Sequence, residues 1–200
     1  MFWDKVAGLY DLFENVYNSK ANRAFCSYVA EQIAPEDIVL ECACGTGMIT
    51  EAVAPRCAHI TATDYSQGML KQVRKKCGSL PGITIEPADI THLPYTDASF
   101  DKVIAGNVIH LMDDPVAVLR ELSRVCKSGG KLIIPTYINK KKNGQTNGAS
   151  KVLQKGGAGF KEAFDFDSYQ AFFRKAGYAD AEFYLAQGRM PCAVAVITKR

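Results

Sequence analysis

The sequence predicts an α/β fold: a doubly wound, mostly parallel seven-stranded sheet with helices on both faces and an antiparallel C-terminal strand. Three observations predict it. Strand and helix patterns alternate regularly between residues 38 and 135, and the strands there are apolar on both faces, as strands covered by helices on each side must be. The first strand runs into Ala43-Cys44-Gly45-Thr46-Gly47, a turn followed directly by a helix. The last two strands are parted only by residues 187–191, too few for a crossover helix, so they must pair antiparallel.

Each element has a local cause. Phe2, Val6, Leu9, Phe13 and Val16 recur at spacings of three and four, which gives an amphipathic helix over 2–17. A second helix over 20–33 stops before Pro35, since the residue ahead of a proline disfavours helical dihedrals. Together, residues 1–34 are expected to cap one end of the sheet or to form a lid. The first strand, 38–42, passes through the glycine turn into a helix over 48–54. A second strand, 59–63, ends in Asp64-Tyr65-Ser66, where Ser66 caps a helix to residue 77 that turns Met69, Leu70 and Val73 inward.

Pro81 and Gly82 break the chain before a third strand over 83–86. A fourth strand spans 100–105, and a helix over 115–126 is expected to end at Ser128-Gly129-Gly130 before a fifth strand, 131–135. Residues 139–160 dissolve into Lys, Gly, Asn and Gln, which reads as a solvated flexible loop or, more sharply, a substrate lid. Order returns with a helix capped by Asp167-Ser168 and ended at Gly177, then strands over 181–186 and 192–198.

Two hundred residues suit a single domain, here 1–200, and 48% hydrophobic with 22% charged residues is ordinary for a globule in water. A net charge of +3, scattered along the chain, offers no concentrated basic face for nucleic acid. No window approaches the ~18 apolar residues of a membrane span, and the start lacks a signal peptide's pattern, so a cytoplasmic location is expected. Seven cysteines, an odd number spread over strands and helices, suit reduced thiols. Cys42-x-Cys44 lacks the spacing and partners of a zinc site, so no metal is expected.

Candidate ligand contacts gather where strand order reverses, beyond the carboxyl ends of the strands. Glycines at 45 and 47 let a ligand lie against the main chain, and the helix after them points unpaired N–H groups into the same space. Asp64, 19 residues beyond Gly45, is placed to accept hydrogen bonds from two ribose hydroxyls, which points to a nucleoside. The third glycine of the dinucleotide fingerprint is replaced by Thr50, and Glu41 puts negative charge where a pyrophosphate would lie. That charge suits a ligand with an amino group or a positive charge.

The residues 39–47, Asp64, Ala88-Asp89-Ile90-Thr91-His92-Leu93-Pro94-Tyr95, Ser99-Phe100-Asp101-Lys102-Val103 and Leu119-Arg120-Glu121-Leu122 through Gly129-Gly130 together resemble the class I S-adenosylmethionine-dependent methyltransferases. The opening Phe2-Trp3-Asp4-Lys5-Val6-Ala7, with Tyr10 and Asp11, is similar to the start of the ubiquinone and menaquinone C-methyltransferases in that family. The resemblance covers nearly the whole chain and implies a Rossmann-like fold with S-adenosylmethionine as methyl donor and S-adenosylhomocysteine as product. It implies cofactor contacts at Glu41, Cys42, Ala43, Gly45, Gly47, Asp64, Tyr65, Met69, Asp89, Ile90 and Asn107. Glu41 would sit near the ammonium, Asp64 on the ribose, Asp89 on the adenine amino group, and the Ile90 main chain on the adenine ring nitrogen. Asn107 would lie beside the methionine end. The family usually has glycine where this chain has Ala43; alanine at negative φ predicts an altered fit rather than lost binding.

Methyl transfer from a sulfonium is an in-line displacement that depends mostly on positioning. His110 and Tyr137 are the candidate general bases where the acceptor must lose a proton. Tyr10, Phe13, Tyr17, Met112, Tyr137 and Phe160 would line an aromatic, apolar mouth suited to a small or lipophilic acceptor. The partner is thus a small molecule, and the protein is expected to be a monomer or homodimer. Two alternatives stand beside this reading: a nicotinamide-dependent short-chain-type oxidoreductase, from Tyr137-x-x-x-Lys141, and a non-catalytic adenosylmethionine-binding regulator.

Overall fold

A computed structural model describes residues 18–139 and 163–200. The expected helix over 2–17, Tyr10, Phe13, Tyr17, Lys141, Phe160 and nearly all of the 139–160 loop lie outside the described residues.

The described chain opens with helix α1, Ser19–Glu31. Strand β1, Ile38–Cys42, then passes through the glycine turn into α2, Met48–Val53. Next come β2, His59–Asp64; α3, Gln67–Cys77; β3, Ile83–Pro87; and β4, Phe100–Ala105. Helix α4, Pro115–Val125, leads into β5, Cys126–Tyr137, and α5, Phe166–Lys175, precedes β6, Glu182–Ala186, and β7, Cys192–Thr198. The seven strands form one sheet in the order β3-β2-β1-β4-β5-β7-β6, with β1 to β5 parallel and β7 antiparallel to both neighbours.

Side-chain alternation along the strands sends the core to both faces. On β1, Leu40 and Cys42 point toward α4 and α5, where they join Leu119, Leu122, Leu132, Tyr169 and Phe173. Val39 points the other way, packing with Phe25 and Val29 of α1, Ile49 and Val53 of α2, and Ile104 and Ile133. Glu41 shares Val39's face, so its side chain goes down among apolar groups beside α2. Helix α3 covers β2 with Leu70, Val73 and Cys77 against Ala62.

The caps agree with the sequence in one place and differ in another. Ser66 Oγ accepts the Met69 N–H at 3.2 Å, the expected start of α3. Helix α5 is capped by Asp165 instead of Asp167-Ser168: Asp165 Oδ1 accepts the Ser168 N–H at 2.8 Å and Ser168 Oγ accepts the Asp165 N–H at 2.9 Å, a reciprocal box.

Helix α4 stops at Val125, without a glycine cap, and β5 starts at Cys126, five residues ahead of the expected 131. Long-range pairing overrides the local glycine signal here. The Ala98 and Ser99 N–H groups donate to the Arg124 and Val125 carbonyls, and Gly129 and Gly130 exchange hydrogen bonds with Lys199 at 2.7 and 2.8 Å.

Candidate functional site

Strand order reverses at β1, which pairs β2 on one side and β4 on the other, so the crevice lies above the carboxyl ends of β1 and β4. The glycine turn forms its floor. Cys44 N–H donates to the Thr63 carbonyl at 2.8 Å and ties the turn to β2, while the Gly47 and Glu51 N–H groups close the entry to α2 on Cys44 and Gly47.

The two glycines do different work. Gly47, at φ +89°, is the N-cap of α2, and a Cβ there would meet Val73 Cγ2 at 2.7 Å, so it is required for packing α2 on α3. Gly45, at φ +57°, would project a Cβ into space with no protein atom within 4 Å. Ala43 corrects the sequence expectation: its φ is +53°, in the left-handed region, so the alanine carries backbone strain of about 1–2 kcal/mol that glycine would not.

Acidic side chains crowd this strand end. Glu41 is 2% exposed and accepts a hydrogen bond from Thr50 Oγ1 at 2.6 Å. Burial pushes its carboxyl up to about 8, with the Thr50 bond pulling down and the Asp64 charge adding to the rise. Asp64 accepts the Gly45 N–H at 2.9 Å on one oxygen and the Ser66 N–H at 2.8 Å on the other. Its carboxylate is thereby fixed against the glycine turn. Asp89 takes both the Thr91 N–H and hydroxyl on Oδ1, at 2.9 and 2.7 Å, and stands exposed beside the buried Ile90. Tyr65, next to Asp64, is 61% exposed, whereas Met69 is buried in the first turn of α3.

On the β4 side, Asn107 also adopts a left-handed conformation, at φ +54°. Its N–H donates to the Pro135 carbonyl at 2.7 Å and its Oδ1 accepts the Tyr137 N–H at 2.9 Å, which joins the tips of β4 and β5. A backbone donor on Oδ1 fixes the amide's orientation, so Asn107 offers a ligand N–H donors on Nδ2. His110, in a 3-10 turn at Ile109–Leu111, is buried, and burial pushes its imidazole down to about 4. It is neutral at pH 7. Met112 follows it at partial exposure.

Tyr137 is half-buried, and its hydroxyl donates to Asn22 Oδ1 at 2.8 Å. Asn22 also accepts from Asn18 Nδ2 at 3.3 Å, and Asn18 clasps the Met190 backbone through both its amide atoms, at 2.8 and 3.1 Å. A buried polar chain therefore runs from the tip of β5 through α1 to the turn before β7.

Sequence reasoning missed Thr50, noted only as an absent glycine, together with Thr63, Asn18 and Asn22. The helical placement of Thr50 one turn past Gly47 is the signal that could have found it. Cys42, Cys44 and Cys77 are buried free thiols, and Cys44 and Cys77 pack together beside the turn. Among the described residues no group of three or more His, Cys, Asp or Glu is placed to hold a metal ion.

Known proteins carry the same pattern. A methyltransferase-domain family model matches residues 40–134. The demethylmenaquinone methyltransferase of Thermobifida fusca is 34% identical over 136 residues, 66% of this chain and 58% of that protein. The ubiquinone/menaquinone biosynthesis C-methyltransferase of Desulfotalea psychrophila is 32% identical over 136 residues, 66% of this chain and 54% of that protein. The chain thus spans somewhat over half the length of the curated relatives it matches. Among solved structures, a SAM-dependent methyltransferase from Thermotoga maritima superposes with TM-score 0.74 at 21% identity, covering 100% of this chain and 99% of that one. The [4+2]-cyclase SpnF shares the fold too, with TM-score 0.73 at 19% identity over 98% of this chain and 95% of that one. Family model, relatives and strand order agree: the chain belongs to the class I S-adenosylmethionine-dependent methyltransferase family.

Proposed function

We propose that the protein transfers a methyl group from S-adenosylmethionine to a small, aromatic or lipophilic acceptor. The observation that carries this reading is the pairing of an open Gly45 with a strand end that brings together two carboxyl groups, the buried Glu41 and Asp64. A ligand that is slim where it crosses the backbone and cationic where it meets Glu41 fits that arrangement, and S-adenosylmethionine is both. Family membership leaves the nicotinamide alternative without support.

The cofactor, when bound, supplies an electrophilic methyl on a positively charged sulfur. The chain's own residues position the reactants. Gly45 would admit the methionine portion against the backbone, and Glu41 would lie near its ammonium. Asp64, held by two backbone N–H groups, has lone pairs left for the ribose hydroxyls. Asp89 would take the adenine amino group, the Ile90 main chain a ring nitrogen, and Tyr65 and Met69 would flank the nucleoside. Asn107 would donate from Nδ2 near the methionine end.

Positioning supplies most of the acceleration of a displacement at a sulfonium. A base is needed only when the acceptor gives up a proton. His110, neutral at pH 7, is the residue proposed to receive it; Tyr137, whose hydroxyl is held by Asn22, orients the acceptor side instead. The small-acceptor reading is supported by the names of the relatives, which act on demethylmenaquinone. The test is calorimetric titration with S-adenosylmethionine, S-adenosylhomocysteine and NADH, followed by methyl transfer to a panel of phenols, quinols and aliphatic acceptors. Binding of both sulfur ligands with turnover of a quinol or phenol is expected; binding of NADH alone would overturn the reading.

A further inference from the structure

Among the described residues, Glu41 has neighbours of one electrostatic kind. From β1 itself comes Cys42, from the glycine turn Cys44, from β2 Asp64 and from α3 Cys77; each of the three thiols lies within Coulombic reach of the Glu41 carboxyl. All four groups are neutral or negative at any pH. On the β4 side its register partner is Ile104, and α1 presents Cys26, whose thiol sits by the Met48 carbonyl.

Among the described residues, the cations of the surrounding elements are engaged or turned outward. Lys102 of β4 pairs with Asp37 at the far end of the sheet at 2.8 Å, and Lys76 of α3 pairs with Glu51 of α2 at 3.7 Å. Lys20 and Arg23 are on the exposed face of α1, and Arg74 reaches the Ile85 carbonyl. The Glu41 side chain accepts a hydrogen bond from a neutral hydroxyl, Thr50 Oγ1. A carboxyl at 2% exposure, with the Thr50 hydroxyl set against the cost of burial, is costly to ionise.

We infer that Glu41 is a proton exchanger: protonated in the ligand-free protein, it releases its proton to solvent as it takes up the cationic methionine end of the cofactor. The charges balance, because a neutral acid and a cation become a carboxylate–cation pair and one aqueous proton. The position of the Glu41 titration, pushed up by burial to about 8, agrees with this geometry. Cofactor affinity is then linked to pH, rising about tenfold per unit below pH 8 and levelling off above it. The inference rests on the cofactor proposed above.

The consequence reaches stability as well. A carboxyl whose folded pKa lies above its unfolded value of 4.5 contributes stability that is complete below pH 4.5 and is lost as pH rises through about 8. The ligand-free protein therefore weakens toward pH 9, and the ligand stabilises it most where it is weakest alone.

The test combines two readouts. Carbon-13 NMR of the Glu41 carboxyl in the ligand-free protein should show it protonated at pH 6.5; an ionised carboxyl at that pH overturns the inference whatever binds. Calorimetric titration with S-adenosylmethionine at pH 6.5, in buffers of differing ionisation enthalpy, should show release of about one proton by the wild type and close to none by Glu41→Gln. Equal release by both overturns it. Thr50→Val removes the bond that favours the ionised form, so the affinity plateau should move to higher pH; a move to lower pH counts against the exchange. A protonated Glu41 with no binding of S-adenosylmethionine at any pH would sink the cofactor reading and the exchange with it, a result distinct from binding without proton release.

Discussion

The two ends of β1 handle buried and half-buried acids in opposite ways. At the amino end, Asp37 accepts the Lys102 ammonium at 2.8 Å and the Ala34 N–H at 2.7 Å. Beside it Asp101 accepts the Lys127 ammonium at 2.8 Å and the Ile38 N–H at 2.9 Å. Burial works against ionising Asp101, yet the Lys127 bond and the backbone donor hold its carboxyl below the usual range. Four residues along, at the carboxyl end, the buried Glu41 accepts a hydrogen bond from the neutral Thr50 hydroxyl and feels the Asp64 charge, and burial pushes it up to about 8. Acids paired with lysines mark the end that holds the sheet together; a buried acid bonded to a neutral hydroxyl marks the end proposed to receive a ligand.

The largest effect is expected from removing a partner at the lysine-paired end. Lys102→Ala strands the buried Asp37 carboxylate, and thermal unfolding should show a loss of about 3–5 kcal/mol, on the order of 10 °C in Tm. Should Glu41→Gln destabilise as much at pH 7, the contrast between the two ends would collapse. At the ligand end, Asp64→Ala should leave the fold cooperative while weakening S-adenosylmethionine binding by about ten- to a hundredfold, the worth of one or two hydrogen bonds to a charged group. Unchanged affinity in a titration would place the ribose elsewhere.

The smallest effect is expected within the glycine turn. Ala43→Gly should raise stability by up to about 1 kcal/mol, since relief of the left-handed strain exceeds the entropy glycine adds to the unfolded chain. A loss in denaturant unfolding would show that the methyl's packing outweighs its strain.

Much of this was legible in the residues. Seven strands, the antiparallel last strand and the crevice follow from hydrophobic patterning and spacing, because each depends on chain-local signals. Glu41, Asp64 and Asp89 were found as strand-end acids for the same reason. What escaped depended on contacts distant in sequence. The start of β5 at Cys126 is set by Lys199 and Ser99. The positive φ of Ala43 runs against the preference of its side chain, and that of Asn107, a residue that tolerates this region, goes with its bonds to Pro135 and Tyr137 at the tip of β5. Thr50 could be seen as a glycine that was missing, but its bond to Glu41 exists only once α2 has folded back over β1.

The thiols give the molecule a built-in record of its own breathing. Cys44 and Cys77 sit beside the glycine turn, Cys126 and Cys192 are sealed in β5 and β7, and only Cys57 is partly exposed. A thiol reagent reaches a sealed cysteine at the rate its surroundings open. Labelling should therefore mark Cys57 first and leave an ordered series of slower modifications that reads, residue by residue, how often the cradle and the sheet come apart.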